Sequence, residues 1–410
     1  MADAIAVRTK LLTPANTSLP TGSARTLSIV LLAAGALAVA LTVLGAALGD
    51  ETSKKVAVAS YHVGFLFVLG LTLGSTFLVM ILHQVNAGWT ATVRRQLENV
   101  MSLTPVCLAL FIPIAIMAPT LFHWMDPQHT AGDALYEAKQ AYLNRPFFYM
   151  RAVVYFALWI GLTQRLYRLS VVQDTDGDRW RTAKARRLSS YGLLIMAFTT
   201  AFAGFDWMMS LDYHWFSTMF GVYFFAGFTS AAISLCALLL VILRRAGKLD
   251  GLVTHEHLHD VGKLMFVFVV FWAYIAFSQY FIIWYGNIPE ETMWFQVRRT
   301  DLWMPYSIAL AFGRFIIPFV ILIPRPWRRS PRILAVVAVW LLAFHALDMF
   351  WVVRPTVEDG AVGFGWLDFA AIAGPICLFF GILARRIASH PLIPMNDPRL
   401  DEAVEHKNYV

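Results

Sequence analysis

Apolar side chains along this chain gather in long unbroken runs, not in the alternation of a half-buried strand or the one-sided stripe of a soluble helix. A bilayer's hydrocarbon core of roughly 30 Å needs about 20 such residues in a helix. Ten runs meet that length: 27–48, 58–82, 100–121, 146–166, 188–211, 216–243, 264–284, 303–323, 333–353 and 366–383. The pattern predicts an all-α integral membrane protein with about ten transmembrane helices. The first run is longer than the apolar segment of a cleavable signal peptide and follows a mostly polar or small leader, so it reads as a helix that stays.

Two polar stretches between runs carry helix-start signals of their own. Thr130-Ala-Gly-Asp133 reads as a capping box for a helix to about Leu143, and Asn287-Ile-Pro-Glu-Glu-Thr-Met-Trp294 as a start with Glu290 and Glu291 in its first turn. Either is an ordinary loop helix or an interfacial helix facing a partner. The last 24 residues, 387–410, hold Pro391, Pro394 and Pro398 among mixed charges and read as a tail without a core of its own.

Composition agrees with the runs and narrows the function. Apolar residues make up 58% and charged residues 14% of the 410, against about 45–50% and 25% in soluble proteins. The net charge of +7 does not mark a nucleic-acid binder, because most Lys and Arg sit in short clusters in the two tails and after the second, fourth, sixth and eighth runs. That asymmetry places both termini in the cytoplasm and agrees with an even number of spans. Cys107, Cys236 and Cys377 each stand alone in an apolar run, which excludes C-x-x-C metal sites and covalent c-type haem.

Two local matches recur in the same order. Tyr61-His62 and Tyr213-His214 open the second and sixth runs, and Ala201-Phe-Ala-Gly-Phe-Asp206 and Ala343-Phe-His-Ala-Leu-Asp348 stand near the ends of the fifth and ninth. They imply parallel repeats: a four-helix bundle over 56–211, a second over 212–353, and peripheral helices over 27–49 and 365–386, with tails 1–26 and 387–410.

Ionisable groups inside the runs need a reason, since a charge at the bilayer centre costs about 2.5–3.5 kcal/mol on insertion scales. Arg314 is the deepest; it is either part of a path or a helix-to-helix clamp against a buried carboxylate. Arg151 starts the fourth run. Asp206, Asp212 and His214 cluster where the fifth run meets the sixth. Asp212 also fits the N-cap of the sixth helix, and His214 fits an aromatic belt with Trp207 and Trp215. The topology brings His62, Gln279, His345 and Asp348, as well as Tyr280 and Asp368, to the same outer level. His and Asp groups facing an aromatic pocket suit a quinol, whose hydroxyls need proton acceptors and whose tail needs an apolar cleft.

The stretches Phe205-Asp-Trp-Met-Met-Ser-Leu-Asp212, His214-Trp-Phe-Ser-Thr218, Trp272-Ala-Tyr-Ile-Ala-Phe-Ser-Gln-Tyr280 and Ile283-Trp-Tyr-Gly-Asn-Ile-Pro-Glu-Glu-Thr292 resemble the F subunit of bacterial alternative complex III, a quinol:cytochrome c oxidoreductase of the polysulfide-reductase (NrfD-like) superfamily. The resemblance implies two four-helix bundles side by side in a bacterial inner membrane. It implies as partners a paralogous C subunit, an iron–sulfur protein, multihaem cytochromes and small membrane subunits, with haem and iron–sulfur centres on those partners and none on this chain. It implies quinol oxidation, in this chain or only in its paralogue, or proton conduction, with menaquinone or ubiquinone undecided. Asp206, Asp212, His214, Gln279, Glu290 and Glu291 fall on its motif positions; His62, Arg151, His345, Arg314 and Asp348 rest on the reading of charge and burial. Two other functions stay open: a proton- or ion-coupled secondary transporter, which would show interrupted helices at matching places, and a membrane di-haem cytochrome, for which His62 and His214 supply one ligand pair at most.

Overall fold

The computed structural model describes residues 11–408, and its regular elements are all helical. Ten helices among these residues are long and apolar enough to cross a bilayer. They are α1 (Thr21–Leu48), α2 (Glu51–Gln84), α3 (Arg94–Ile116), α4 (Arg145–Asp176), α5 (Arg179–Trp207), α6 (Phe220–Arg245), α7 (His255–Gly286), α8 (Met304–Leu322), α9 (Pro331–Val353) and α10 (Trp366–Ala388). The chain is an all-α, multi-pass membrane protein.

Several helices run past their apolar segments because local capping, not hydropathy, ends them. Asp50 accepts from the Ser53 N–H and starts α2 ahead of its run; Thr254 does the same for α7 through Glu256. Between α4 and α5 the chain turns on Gly177, which takes the left-handed conformation at φ 62°, and Asp178 caps α5 through the Trp180 N–H. Both helices therefore continue beyond the hydrocarbon as one hairpin. The third span differs in kind: it breaks at Ser102-Leu103, carries Pro113 inside, and ends at Met117.

Contacts close α2–α3–α4–α5 into one ring and α6–α7–α8–α9 into another, joined chiefly by α2 against α6, while α1 and α10 pair on the outer side of α2. Helix α2 is the hub, buried along almost its whole length. Its small residues let backbones approach where hydrocarbon offers no hydrophobic drive between helices. A Cβ on Gly64 would lie 2.6 Å from the Ile372 carbonyl of α10, and one on Gly74 would lie 2.3 Å from the Phe228 carbonyl of α6.

Three expectations need correction. Tyr61-His62 lies three turns inside α2, not at its start, and Tyr213-His214 lies in the loop before α6, whose N-cap is Met219 rather than Asp212. Asp212 instead takes the His214 N–H within that loop at 3.3 Å, because residues 212–219 form turns before the helix can begin. The loop helix beginning at Asp133 ends at Lys139, short of Leu143, and its cap is Asp133 itself, not Thr130. The second loop helix, Pro289–Val297, does carry Glu290 and Glu291 in its first turn.

The C-terminal segment has no separate core but is not loose. Leu392, Ile393, Leu400 and Ala403 are buried, the Leu392 N–H donates to Thr17 at 2.8 Å, and Asp397 pairs with Arg94 at 2.6 Å. The first and last described segments thus lie on one face, called here the terminal face.

Gly74→Ala is expected to lower stability by about 1–3 kcal/mol, as overpacking does, whereas Gly161→Ala on α4, whose new Cβ meets nothing within 4 Å, should be neutral. Thermal unfolding of the two variants in detergent checks this.

Candidate functional site

Two guanidinium groups inside the spans set the polar architecture. In the first ring, Arg151 of α4 donates through Nε and Nη2 to both carboxylate oxygens of Asp206 on α5, at 2.8 and 2.7 Å. Tyr155, one turn along α4 and so on the same face, donates to Asp206 at 2.8 Å. Arg151 also stacks on Tyr142, 3.9 Å from its centroid.

In the second ring, Arg314 of α8 donates to Asp348 of α9 at 2.6 Å, and Tyr223 of α6 donates to the other Asp348 oxygen. The guanidinium lies 4.5 Å over Trp272 and reaches His345 Nδ1 at 3.3 Å. Since arginine only donates, Nδ1 accepts and the imidazole proton sits on Nε2. That Nε2 has no partner among the described residues and packs into a box of Phe67, Phe228 and Gly70. Asp206 and Asp348 therefore play matching parts, each on the fourth helix of its ring and paired with an arginine of the third. The Ala201–Asp206 and Ala343–Asp348 match has a structural counterpart; the two Tyr-His pairs do not.

Helix α8 leaves α geometry at Leu310–Ile316, a π turn holding Arg314. Such turns free a carbonyl from the ladder, and here Gly313 accepts from the Trp340 indole at 2.6 Å. A Cβ on Gly313 would sit 2.0 Å from Phe344, so glycine is what lets α9 approach closely enough for Asp348 to meet Arg314.

A cavity of about 710 Å³ opens between α7 and α8. Its walls are mostly apolar and aromatic, including Phe277, Phe295, Phe312, Phe315 and Trp351. Its polar lining includes Tyr223, Gln279, Ser307, Arg298 and Arg299, with Tyr274 and Tyr280. The Gln279 carbonyl oxygen accepts from Ser217 at 3.0 Å, which leaves its NH2 group, without a partner among the described residues, for the cavity. Arg298 is buried without a carboxylate partner among the described residues. It is held by the carbonyls of Trp294, Trp351 and Val352 at 2.7–3.1 Å and stacked 3.4 Å over Trp294, and burial pushes its pKa down.

The other candidates lie apart. His62 donates from Nε2 to the Trp207 carbonyl at 2.6 Å amid Phe65, Phe122 and Trp207, a packed aromatic layer rather than a cavity. His214 is exposed and bonds Asp133 at 2.7 Å, so His62 and His214 do not face each other from neighbouring helices. Glu290 is exposed, and the Glu291 carbonyl takes the Trp215 indole at 3.1 Å. Sequence reasoning missed Tyr155, Tyr223 and Arg298. It also missed Arg354, fully buried and donating to Asp368 at 2.6 Å. Tyr155 had a signal, its four-residue spacing from Arg151; Arg298 and Arg354 read as ordinary loop cations.

Compared with known proteins, the chain matches no family model, and no curated protein matches it significantly.

Breaking one side of a buried pair leaves an uncompensated charge and costs about 3–5 kcal/mol. Asp348→Leu should destabilise by that order, and adding Arg314→Met should restore most of it, as read from a double-mutant cycle on thermal unfolding. At the loop, hydrogen bonds from Tyr213 and His214 hold Asp133 down to about 2. Its folded pKa is depressed, so the contact is complete above the ordinary carboxylate value of about 3.9 and is lost as pH falls toward 2. Hydrogen exchange at the Leu135 and Tyr136 amides, both bonded to Asp133, should stay slow at pH 5 and quicken only below about pH 4.

Proposed function

We propose that this chain is a membrane subunit of a quinol-oxidising electron-transfer complex of the alternative complex III kind, set in a bacterial inner membrane with both termini cytoplasmic. The observation that carries this reading is the α7–α8 cavity, with Tyr223 in its wall and Asp348 directly behind. A quinol head fits between the Gln279 NH2, which donates to a ring oxygen, and Tyr223, whose oxygen accepts from a hydroxyl while its own proton goes to Asp348. Arg314 pairs with the other oxygen of Asp348 and holds the carboxyl group in place behind Tyr223, and the apolar walls take the tail. Oxidation of one quinol to quinone releases two protons and two electrons; the electrons go to a haem or iron–sulfur centre of a partner subunit. The sequence motifs resembling the F subunit support the same reading, as does the likeness between the two rings.

This reading moves the site from the His62–Asp206 side, where aromatic rings fill the space, to the second ring. A transporter is less well supported, because the interruptions fall in α3 and α8, the second helix of one ring and the third of the other, not in corresponding places.

In the intact complex, Gln279→Leu and Tyr223→Phe should each lower quinol oxidation at limiting quinol about tenfold, the worth of one hydrogen bond in a closed site. Unchanged rates in both, with no labelling of α7 or α8 by a photoreactive quinone, would overturn the quinol site. Substrate uptake by vesicles containing this chain alone would favour the transporter.

A further inference from the structure

On the terminal face, away from the cavity, the α4–α5 hairpin holds a second basin of about 440 Å³. Arg165 and Arg168 line it from α4, and Arg181, Lys184 and Arg187 from α5. Arg181 is tied to Asp176. The other four cations have no acidic partner among the described residues, and no carboxylate lines the basin. Four unpaired charges in one concave site repel one another, and an anion relieves that repulsion.

The depth of the basin says what kind of anion. It lies where the apolar runs of α4 and α5 give way to the charged hairpin, and its apolar lining is Leu169, Leu188 and Tyr191. From there an exposed apolar stripe continues into the span: Tyr191, Leu194 and Phe198 at helical spacing on α5, and Leu158 and Val154 on α4. Gly161, between Arg165 and Leu158, leaves open space above the α4 backbone. A charged head at the interface continuous with an apolar groove at acyl depth matches an amphiphile, not a free ion. Basic pockets between spanning helices on the cytoplasmic side are known to take lipid headgroups of this charge.

We propose that the α4–α5 basin binds an anionic phospholipid, the phosphate among Arg165, Arg168, Lys184 and Arg187 and an acyl chain along the groove beside Gly161. The lipid would hold the hairpin at a fixed height in the membrane.

The test uses the full chain, purified in detergent and stripped of lipid, with binding read by native mass spectrometry and by the shift in melting temperature. Cardiolipin and phosphatidylglycerol should bind and raise the melting temperature; phosphatidylcholine should do neither. The pair Arg168→Gln with Arg187→Gln, both on exposed side chains, should weaken anionic-lipid binding about thirtyfold, at about 1 kcal/mol for each charge. The pair Arg168→Lys with Arg187→Lys should retain it, and the charge-matched control Arg332→Gln with Arg385→Gln should leave it unchanged. Equal binding of phosphatidylcholine, undiminished binding in the Gln pair, or an equal shift with inorganic phosphate alone would overturn the proposal; the last would mark a soluble-anion site. None of these readouts depends on quinol oxidation.

Discussion

A guanidinium cannot be left alone in hydrocarbon. Burial of Arg151 and Arg314 therefore obliges each ring to bring a carboxylate to a fixed place, and much of the architecture follows. Asp206 and Asp348 tie the third helix of each ring to the fourth, tyrosines fill the remaining acceptor positions, and aromatic faces cover the cations. Arg354 with Asp368 repeats the device where α9 gives way to α10, with Ser60 of α2 on the same carboxylate. Three such pairs clamp helices that lipid alone would not hold together, at positions where sliding by one turn would strand a charge.

The two rings use the same pair differently. In the first, Arg151 grips Asp206 by two parallel bonds, and tightly packed indole and phenyl rings surround the pair. In the second, Arg314 spends one nitrogen on Asp348 and turns the other toward His345 and the Gly227 carbonyl, and a tyrosine from a different helix stands between the carboxylate and a cavity. Of two similar four-helix rings, one is closed by tight aromatic packing and the other is opened by a π turn. The proposed quinol chemistry belongs to the open side for that reason.

The spans, their number and the deep charges could all be read from the chain, because hydropathy and the penalty for buried charge act locally. The equivalence of Asp206 and Asp348 could be read too, since both sit in the same short pattern. The partners of Arg151 and Arg314 could not, because pairing across helices depends on rotation and depth that no single run encodes. Asp212 and His214 were misplaced for a local reason: Leu211 to Met219 is apolar enough to pass for helix, yet the chain turns there, with the Ser217 N–H on the Met209 sulfur instead of on a helical carbonyl. Arg298 and Arg354 were invisible as buried groups because they stand outside the runs, in connections that fold back over the bundle.

Helix α1 touches the rest of the molecule mainly through α10, where Gly35, Gly374 and Gly381 allow the two to pack backbone to backbone. Of the ten spans described, α1 thus finds its main partner only when α10 arrives. During synthesis α1 has only its contact with α2 until α10 is inserted, and its uniformly apolar surface, with no ionisable residue from Thr26 to Gly49, suits it to stand in lipid until then. Closure of the α1–α10 pair thus waits on the eight spans between them, a seal that a chain halted before Trp366 never makes.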